Sequence, residues 1–221
     1  MDISAELSDI SSYGGFFALV VGGDGTGWHP VGQSYADGCA DLIDATVRRY
    51  RTSDRRIGAS LVHLAHATRL WSPVLACAIG HGVIPDLKDL HRADDSAQLR
   101  LPQPVGKPVP SIPPDVLYRV VVSDHLQPLA AGLRVKLAPA LLVGNIASAL
   151  VGAARALLSA RPDLRTPIVE VTCSLLDTGV MAGSGVITDP RLGFRRHSCC
   201  LFYRLPGGSL CGDCVLHRTT R

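Results

Sequence analysis

Four of the seven cysteines, Cys199, Cys200, Cys211 and Cys214, fall within sixteen residues near the end of the chain. Thiolates bind soft and borderline metals, so a C-C-x10-C-x2-C spacing raises metal chemistry first. Two residues between Cys211 and Cys214 let the backbone fold back so that both sulfurs face one ion, and Gly212 permits the tight knuckle this needs. Leu205-Pro206-Gly207-Gly208 reads as the turn that returns Cys211 towards Cys199. Cys199 and Cys200 point elsewhere, because neighbours in an extended chain project to opposite sides and both on one tetrahedral zinc would strain the peptide. Diverging sulfurs suit two metals or two corners of an iron–sulfur cluster. A vicinal disulfide is disfavoured, since consecutive Cα atoms stand about 3.8 Å apart against the usual disulfide span of roughly 4.4–6.8 Å. The spacing therefore favours an iron–sulfur cluster, with a four-thiolate zinc site as the alternative.

The run from Arg195-Arg196-His197-Ser198-Cys199-Cys200 through Gly208, with Cys211-Gly212-Asp213-Cys214, resembles the C-terminal cluster motif of the FhuF-type ferric siderophore reductases. The resemblance implies that Cys199, Cys200, Cys211 and Cys214 ligate a [2Fe-2S] cluster. Two further stretches resemble the family less sharply: Ala59 to Leu87, containing Arg69-Leu70-Trp71-Ser72-Pro73, and Gly144 to Leu150. Together these cover about a third of the chain. The implied activity is that of a cytoplasmic iron–sulfur oxidoreductase passing one electron to Fe(III) in a siderophore and releasing Fe(II). Hard oxygen donors hold Fe(III) far more tightly than Fe(II), so reduction is itself the release step. No acid, base or nucleophile beyond the cluster is required, and no Ser/His/Asp or Cys/His constellation stands out. Without a flavin or nicotinamide fingerprint, electrons are expected from a ferredoxin or flavodoxin-type protein. Arg195, Arg196, His197 and Arg204 are the expected surface for the ferric chelate or the donor. The alternatives are a non-enzymatic [2Fe-2S] electron carrier or redox sensor, and a zinc-stabilised binding module.

Composition sets outer limits. A chain of 221 residues with 47% hydrophobic content can bury a substantial core. A net charge of +3 is too small to argue for nucleic acid or a membrane surface. The charge is uneven, though: Arg191, Arg195, Arg196, Arg204, Arg218 and Arg221 follow position 190 against the single acid Asp213. Met1 to Glu6 has no secretory pattern, and the most apolar stretch, Pro139 to Leu158, is interrupted by Asn145, Ser148 and Arg155, so no membrane span is expected. An odd cysteine count without a leader fits a reducing cytoplasm.

The elements that must position the cysteines read as an α+β fold: a mainly helical single domain with a small antiparallel sheet and a C-terminal cysteine-rich segment. The expected organisation is a body over 1–190, with a proline-rich connection at 92–114, followed by a cluster-binding segment at 191–221. Residues 14–22 read as a strand, with 28–35 returning beside it after a glycine-rich hairpin turn. Asp37 to Arg51 reads as a helix. Over Arg56 to His81 the pattern predicts two helices meeting at Trp71-Ser72-Pro73, the second ending near Gly80 or Gly82. His63 and His66, three apart, read as a polar stripe or hydrogen-bonded core rather than as ligands, and Cys39, Cys77 and Cys173 as buried, inert thiols. Six prolines make 92–114 an extended surface connection. Val116 to Val122 and Leu133 to Leu137 read as antiparallel strands. Gly144-Asn145 is expected to cap a helix over Ile146 to Ala160, and Thr166-Pro167 to start another through Leu176.

Overall fold

A computed structural model describes residues 1–217; Arg218 and Arg221 of the basic tail lie outside them. The helices are α1 (Ser4–Ser11), α2 (Val31–Ala36), α3 (Ala40–Arg49), α4 (Arg55–His81), α5 (Pro114–Tyr118), α6 (Gln127–Gly132), α7 (Pro139–Ala160) and α8 (Arg165–Leu176). A π-helical stretch, Arg119–Leu126, joins α5 to α6. The strands are β1 (Val20–Val21), β2 (Trp28–Pro30), β3 (Val83–Pro85), β4 (His91–Ala93), β5 (Leu99–Leu101), β6 (Gly106–Pro108), β7 (Gly185–Asp189) and β8 (Gly193–Arg196). The fold is α+β and mainly helical, as the pattern predicts.

The core is built on α4 against α7. The Asp54 carboxylate caps α4 by accepting from the Arg56 N–H at 3.0 Å, and Gly82 ends it in the left-handed region at φ 64°. Between these caps the helix is continuous, so the expected break at Ser72-Pro73 does not occur. Pro73 removes a backbone hydrogen bond, but Leu70, Trp71, Val74 and Leu75 are all buried around it. Burying each such side chain is worth roughly 1.5–3 kcal/mol, enough together to outweigh the proline cost of about 3 kcal/mol. On α7, Ala147, Ala149, Ala153 and Ala154 are buried and leave room for α4 to approach. This helix starts at Pro139, earlier than expected, and Gly144 and Asn145 lie inside it rather than capping it. By length and composition α7 would cross a membrane, but most of its apolar face is buried within the fold.

Other expectations need correction. Strand β1 has only two residues, and β2 pairs with β4 rather than β1, in a mixed sheet of order β1-β5-β4-β2. The glycine-rich segment is thus no hairpin turn: it wraps the Arg100 guanidinium, which donates to the carbonyls of Gly22 and Gly23. Positive φ at Gly22, Gly23, Gly25 and Gly27 makes that wrap possible. The proline-rich 92–114 region is not a plain surface connection. It completes β4 and supplies β5 and β6, with Leu99 and Leu101 in the core and Arg92 and Arg100 buried. Pro102, Pro104 and Pro108 sit between or at the ends of these short strands, and Pro110, Pro113 and Pro114 lead from β6 into α5. Val116 to Val122 is helical, because Pro113-Pro114 starts α5 and the core takes Leu117, Val121 and Val122 from one side. Leu133 to Leu137 forms no strand. The α8 expectation holds to within a residue.

Candidate metal centre

The cysteine segment is held to the body by the β7–β8 hairpin. Strand periodicity turns Phe194 and Arg196 inward, at 4% and 1% exposure, and Arg195 towards the other face. Buried Arg196 donates from Nη1 to Asn145 Oδ1 at 2.9 Å and from Nη2 to the Leu141 carbonyl at 3.0 Å, both on α7. Asn145 spends its own amide on α4, donating to the Ser60 carbonyl at 2.9 Å. Ser60 Oγ in turn donates to the Cys200 carbonyl at 2.8 Å. One polar network therefore joins α4, α7, β8 and the cysteine pair.

Beyond Cys200 the chain reverses through Leu201 in the left-handed region at φ 68°, makes one 3-10 turn at Phe202–Arg204, and turns again at Gly207. The expected Pro-Gly-Gly return is present. Cys211 and Cys214 form the knuckle, closed by the Cys214 N–H donating to the Cys211 carbonyl at 3.1 Å. Asp213 between them anchors it: its carbonyl accepts from the Arg196 N–H at 3.1 Å, and its carboxylate pairs with Arg155 of α7 at 3.1 Å.

Cys200 and Cys214 are buried, and Cys199 and Cys211 partly exposed. The thiols in contact are Cys200 and Cys211, with sulfurs 3.4 Å apart. That is close to the roughly 3.8 Å edge of a tetrahedron with metal–sulfur bonds of about 2.3 Å. Their shared hydrogen bond pulls the Cys200 thiol below its ordinary range, helped by the Arg196 charge, and pushes Cys211 upward. Backbone N–H groups are aimed at the other two sulfurs, Leu201 N–H at Cys199 and Leu216 N–H at Cys214, each at 3.4 Å. Among the described residues no three His, Cys, Asp or Glu side chains are drawn in as tightly as a closed metal shell. The donor set nevertheless fits a thiolate-held group. Four sulfurs lie on one short segment, two of them in contact and two bonded by amides, beside a buried cation that offsets thiolate charge.

Residues 196–216 match the family model of the FhuF 2Fe-2S C-terminal domain. This segment is similar to that domain. All four cysteines fall inside the match, which supports an iron–sulfur protein related to siderophore iron reduction. No curated protein and no solved structure matches the chain.

Around the matched segment the expected surface residues divide. His197 and Arg204 are exposed; His197 Nδ1 donates to the Gly183 carbonyl at 2.8 Å, and Arg204 stands 3.8 Å from the Asp54 carboxylate. Arg195 is half-buried. Arg196 is no surface group, because its guanidinium is consumed by α7 and by the Ser198 hydroxyl at 3.3 Å. Ser60, Asn145 and Arg155 were invisible as partners of this site. Their sequence positions lie 58 to 140 residues from the groups of the cysteine segment they bind, or 51 in the case of Asn145 and Arg196. His63 and His66 are core groups rather than ligands. His66 Nε2 and the Tyr35 hydroxyl are 2.7 Å apart, and His125 Nδ1 meets the same hydroxyl at 3.0 Å. Cys39 and Cys77 are buried, and burial pushes their thiols up to about 11 and about 12; Cys173, half-buried, is raised as well.

Proposed function

We propose that the chain is a ferric siderophore reductase whose [2Fe-2S] cluster is held by Cys199, Cys200, Cys211 and Cys214. The observation that carries this reading is the match over residues 196–216, which contains all four thiols, together with the Arg196 charge near Cys199, Cys200 and Cys211. When bound, the cluster supplies a one-electron couple. The chain's own residues do the rest. Arg196 supplies a fixed positive charge beside the sulfurs and favours the more negative, reduced form. The Ser60–Asn145–Arg196 network ties the Cys200–Leu201 peptide to α4 and α7, so the segment is anchored to the body rather than held as a free tail. Burial of Cys200 and Cys214 keeps water from one side, while half-exposed Cys199 and Cys211 leave the other open to a substrate.

The substrate is Fe(III) in a hard-oxygen chelate, and its reduction to Fe(II) weakens every metal–oxygen bond at once. The electron comes from a ferredoxin or flavodoxin-type donor, with His197, Arg204 and Arg195 as the basic residues offered to an acidic partner. A cytoplasmic setting suits a site that depends on reduced thiols. Anaerobically purified protein, assayed for iron, sulfide and zinc, tests the reading by absorption and EPR before and after dithionite. The expected result is two irons per chain, visible bands that bleach, and reoxidation of the reduced protein by ferric siderophores in stopped flow. Colourless protein with stoichiometric zinc overturns it, and reoxidation no faster than by unrelated acceptors reduces the protein to an electron carrier or sensor.

A further inference from the structure

A hollow of about 410 Å³ opens beside the cysteine segment, lined by Arg155, Arg165, Asp189, Pro190, Arg191 and Gly193. Its three guanidiniums arrive from three places: Arg155 from α7, Arg165 from the first residue of α8, and Arg191 from the turn between β7 and β8. The single lining carboxylate, Asp189, is committed to that turn, accepting from the N–H groups of Arg191 at 2.7 Å and Gly193 at 3.1 Å. Arg165 is placed over the turn by donating to the Pro190 carbonyl at 2.6 Å. Arg155 reaches the other way too, to the Asp213 carboxylate between Cys211 and Cys214. The hollow is therefore one ion pair away from the knuckle.

Three guanidiniums face two carboxylates, Asp189 in the turn and Asp213 on Arg155, so the hollow keeps an excess of positive charge, carried by Arg165 and Arg191, that suits an anion. In a ferric chelate the paired oxygens are taken up by the metal, so what the always-charged guanidiniums meet is the net charge of the complex, which is negative for a ferric tris-catecholate and zero for a trihydroxamate. We infer that this arginine hollow is the seat of the ferric chelate, and that it selects chelates carrying net negative charge, as catecholate and carboxylate types do, over neutral or cationic hydroxamates. The inference rests on the reductase reading and places its substrate on Arg155, Arg165 and Arg191, rather than on His197 and Arg204.

The test uses the full, cluster-loaded chain with two probes, gallium(III) tris-catecholate and gallium(III) trihydroxamate, which mimic the ferric complexes without being reduced. Calorimetry is expected to show the catecholate binding more tightly, with the difference shrinking as salt rises. Arg165→Glu and Arg191→Glu are each expected to weaken catecholate binding roughly tenfold or more while leaving cluster content unchanged. In stopped flow the same variants should slow reoxidation by the ferric catecholate in proportion. Equal binding of both chelates, or affinity untouched by both variants, overturns the inference. So does loss of binding on Val120→Trp, which would fill the larger, mostly apolar cleft of about 890 Å³ between β3, β6 and the π-helical stretch. The two failures separate cleanly. If wild-type protein is reoxidised rapidly by ferric chelates whatever the arginines are, only the seat is wrong; if ferric chelates do not reoxidise it preferentially at all, the reductase reading is wrong.

Discussion

His63 is the most anomalous side chain in the core: it is fully buried, and neither ring nitrogen has a hydrogen-bond partner among the described residues. Burial holds its conjugate acid down to about 4, with the neighbouring Arg196 charge adding to the effect, and holds that of His66 down to about 3. In the unfolded chain both imidazoles take up protons near pH 6.5. Between that pH and about 4 the unfolded state binds more protons, so stability is complete above 6.5 and falls as the pH drops. Each histidine should cost on the order of 2 kcal/mol by pH 5, seen as an earlier urea midpoint than at pH 7. The variant His63→Leu should be more stable at neutral pH by about 1–2 kcal/mol, through removal of unpaired buried nitrogens, and should lose its share of the acid sensitivity. An acid drop as large as in the wild type would show that His63 is not held neutral. Sequence made part of this legible. The three-residue spacing places both rings on one face of α4, but Tyr35, 31 positions from His66, and His125, 90 positions from Tyr35, carried no local signal. Arg196 was misread for a related reason: beside Arg195 and His197 it looks like surface charge, and only strand alternation and the distant Asn145 reveal it as buried.

Helix α7 carries a matched pair of glycines that behave oppositely. A Cβ on Gly144 would run into Ser198 Oγ and stand 2.6 Å from Arg196 Nη2, whereas one on Gly152 would meet nothing within 4 Å. Gly144→Ala is therefore expected to push β8 off the helix at a cost of about 1–3 kcal/mol and to lower retained iron. Gly152→Ala should stabilise by about 0.5–1 kcal/mol through helix propensity, with iron content unchanged. Thermal melts and iron content on both variants check the contrast; equal behaviour would mean that α7 does not set the position of the cysteine segment. Helix boundaries marked by local chemistry were readable, as with Gly82 ending α4 and Thr166-Pro167 near the start of α8. Pro73 and Gly144-Asn145 were not, because in each case tertiary burial overrode the local punctuation. The valine-rich 116–122 run failed likewise: β-branched residues favour strands only weakly once a neighbouring core claims one helical face.

At the scale of the molecule, one hydrophobic core runs from Ile3 through α4 and α7 to Phe194, and it stops there. Cys200, Leu205 and Cys214 are buried outside that cluster, held by hydrogen bonds and their own turns. Loss of the cluster should therefore loosen the segment without unfolding the body. Hydrogen exchange comparing loaded and chelator-stripped protein should show faster exchange confined to residues 196–217 and the facing turns around Ser60 and Asn145, with the centre of α4 unchanged; acceleration throughout α4 would contradict this separation. The mainly helical class and the place of the metal chemistry were legible because they rest on composition and on a spacing sixteen residues long. The small sheets were not, since β4, β5 and β6 are three-residue strands whose pairing with β2, β1 and β3 leaves almost no local pattern.

Two of the cysteines outside the segment have a consequence for how the protein matures. Cys39 and Cys77 are sealed in the core with their protons held on. A nascent centre therefore meets no rival sulfurs from them once the body has folded, and iron delivered at that stage has one cysteine-rich destination. Folding thus acts as proofreading: a folded body withholds these two thiols from metal meant for the cysteine-rich segment.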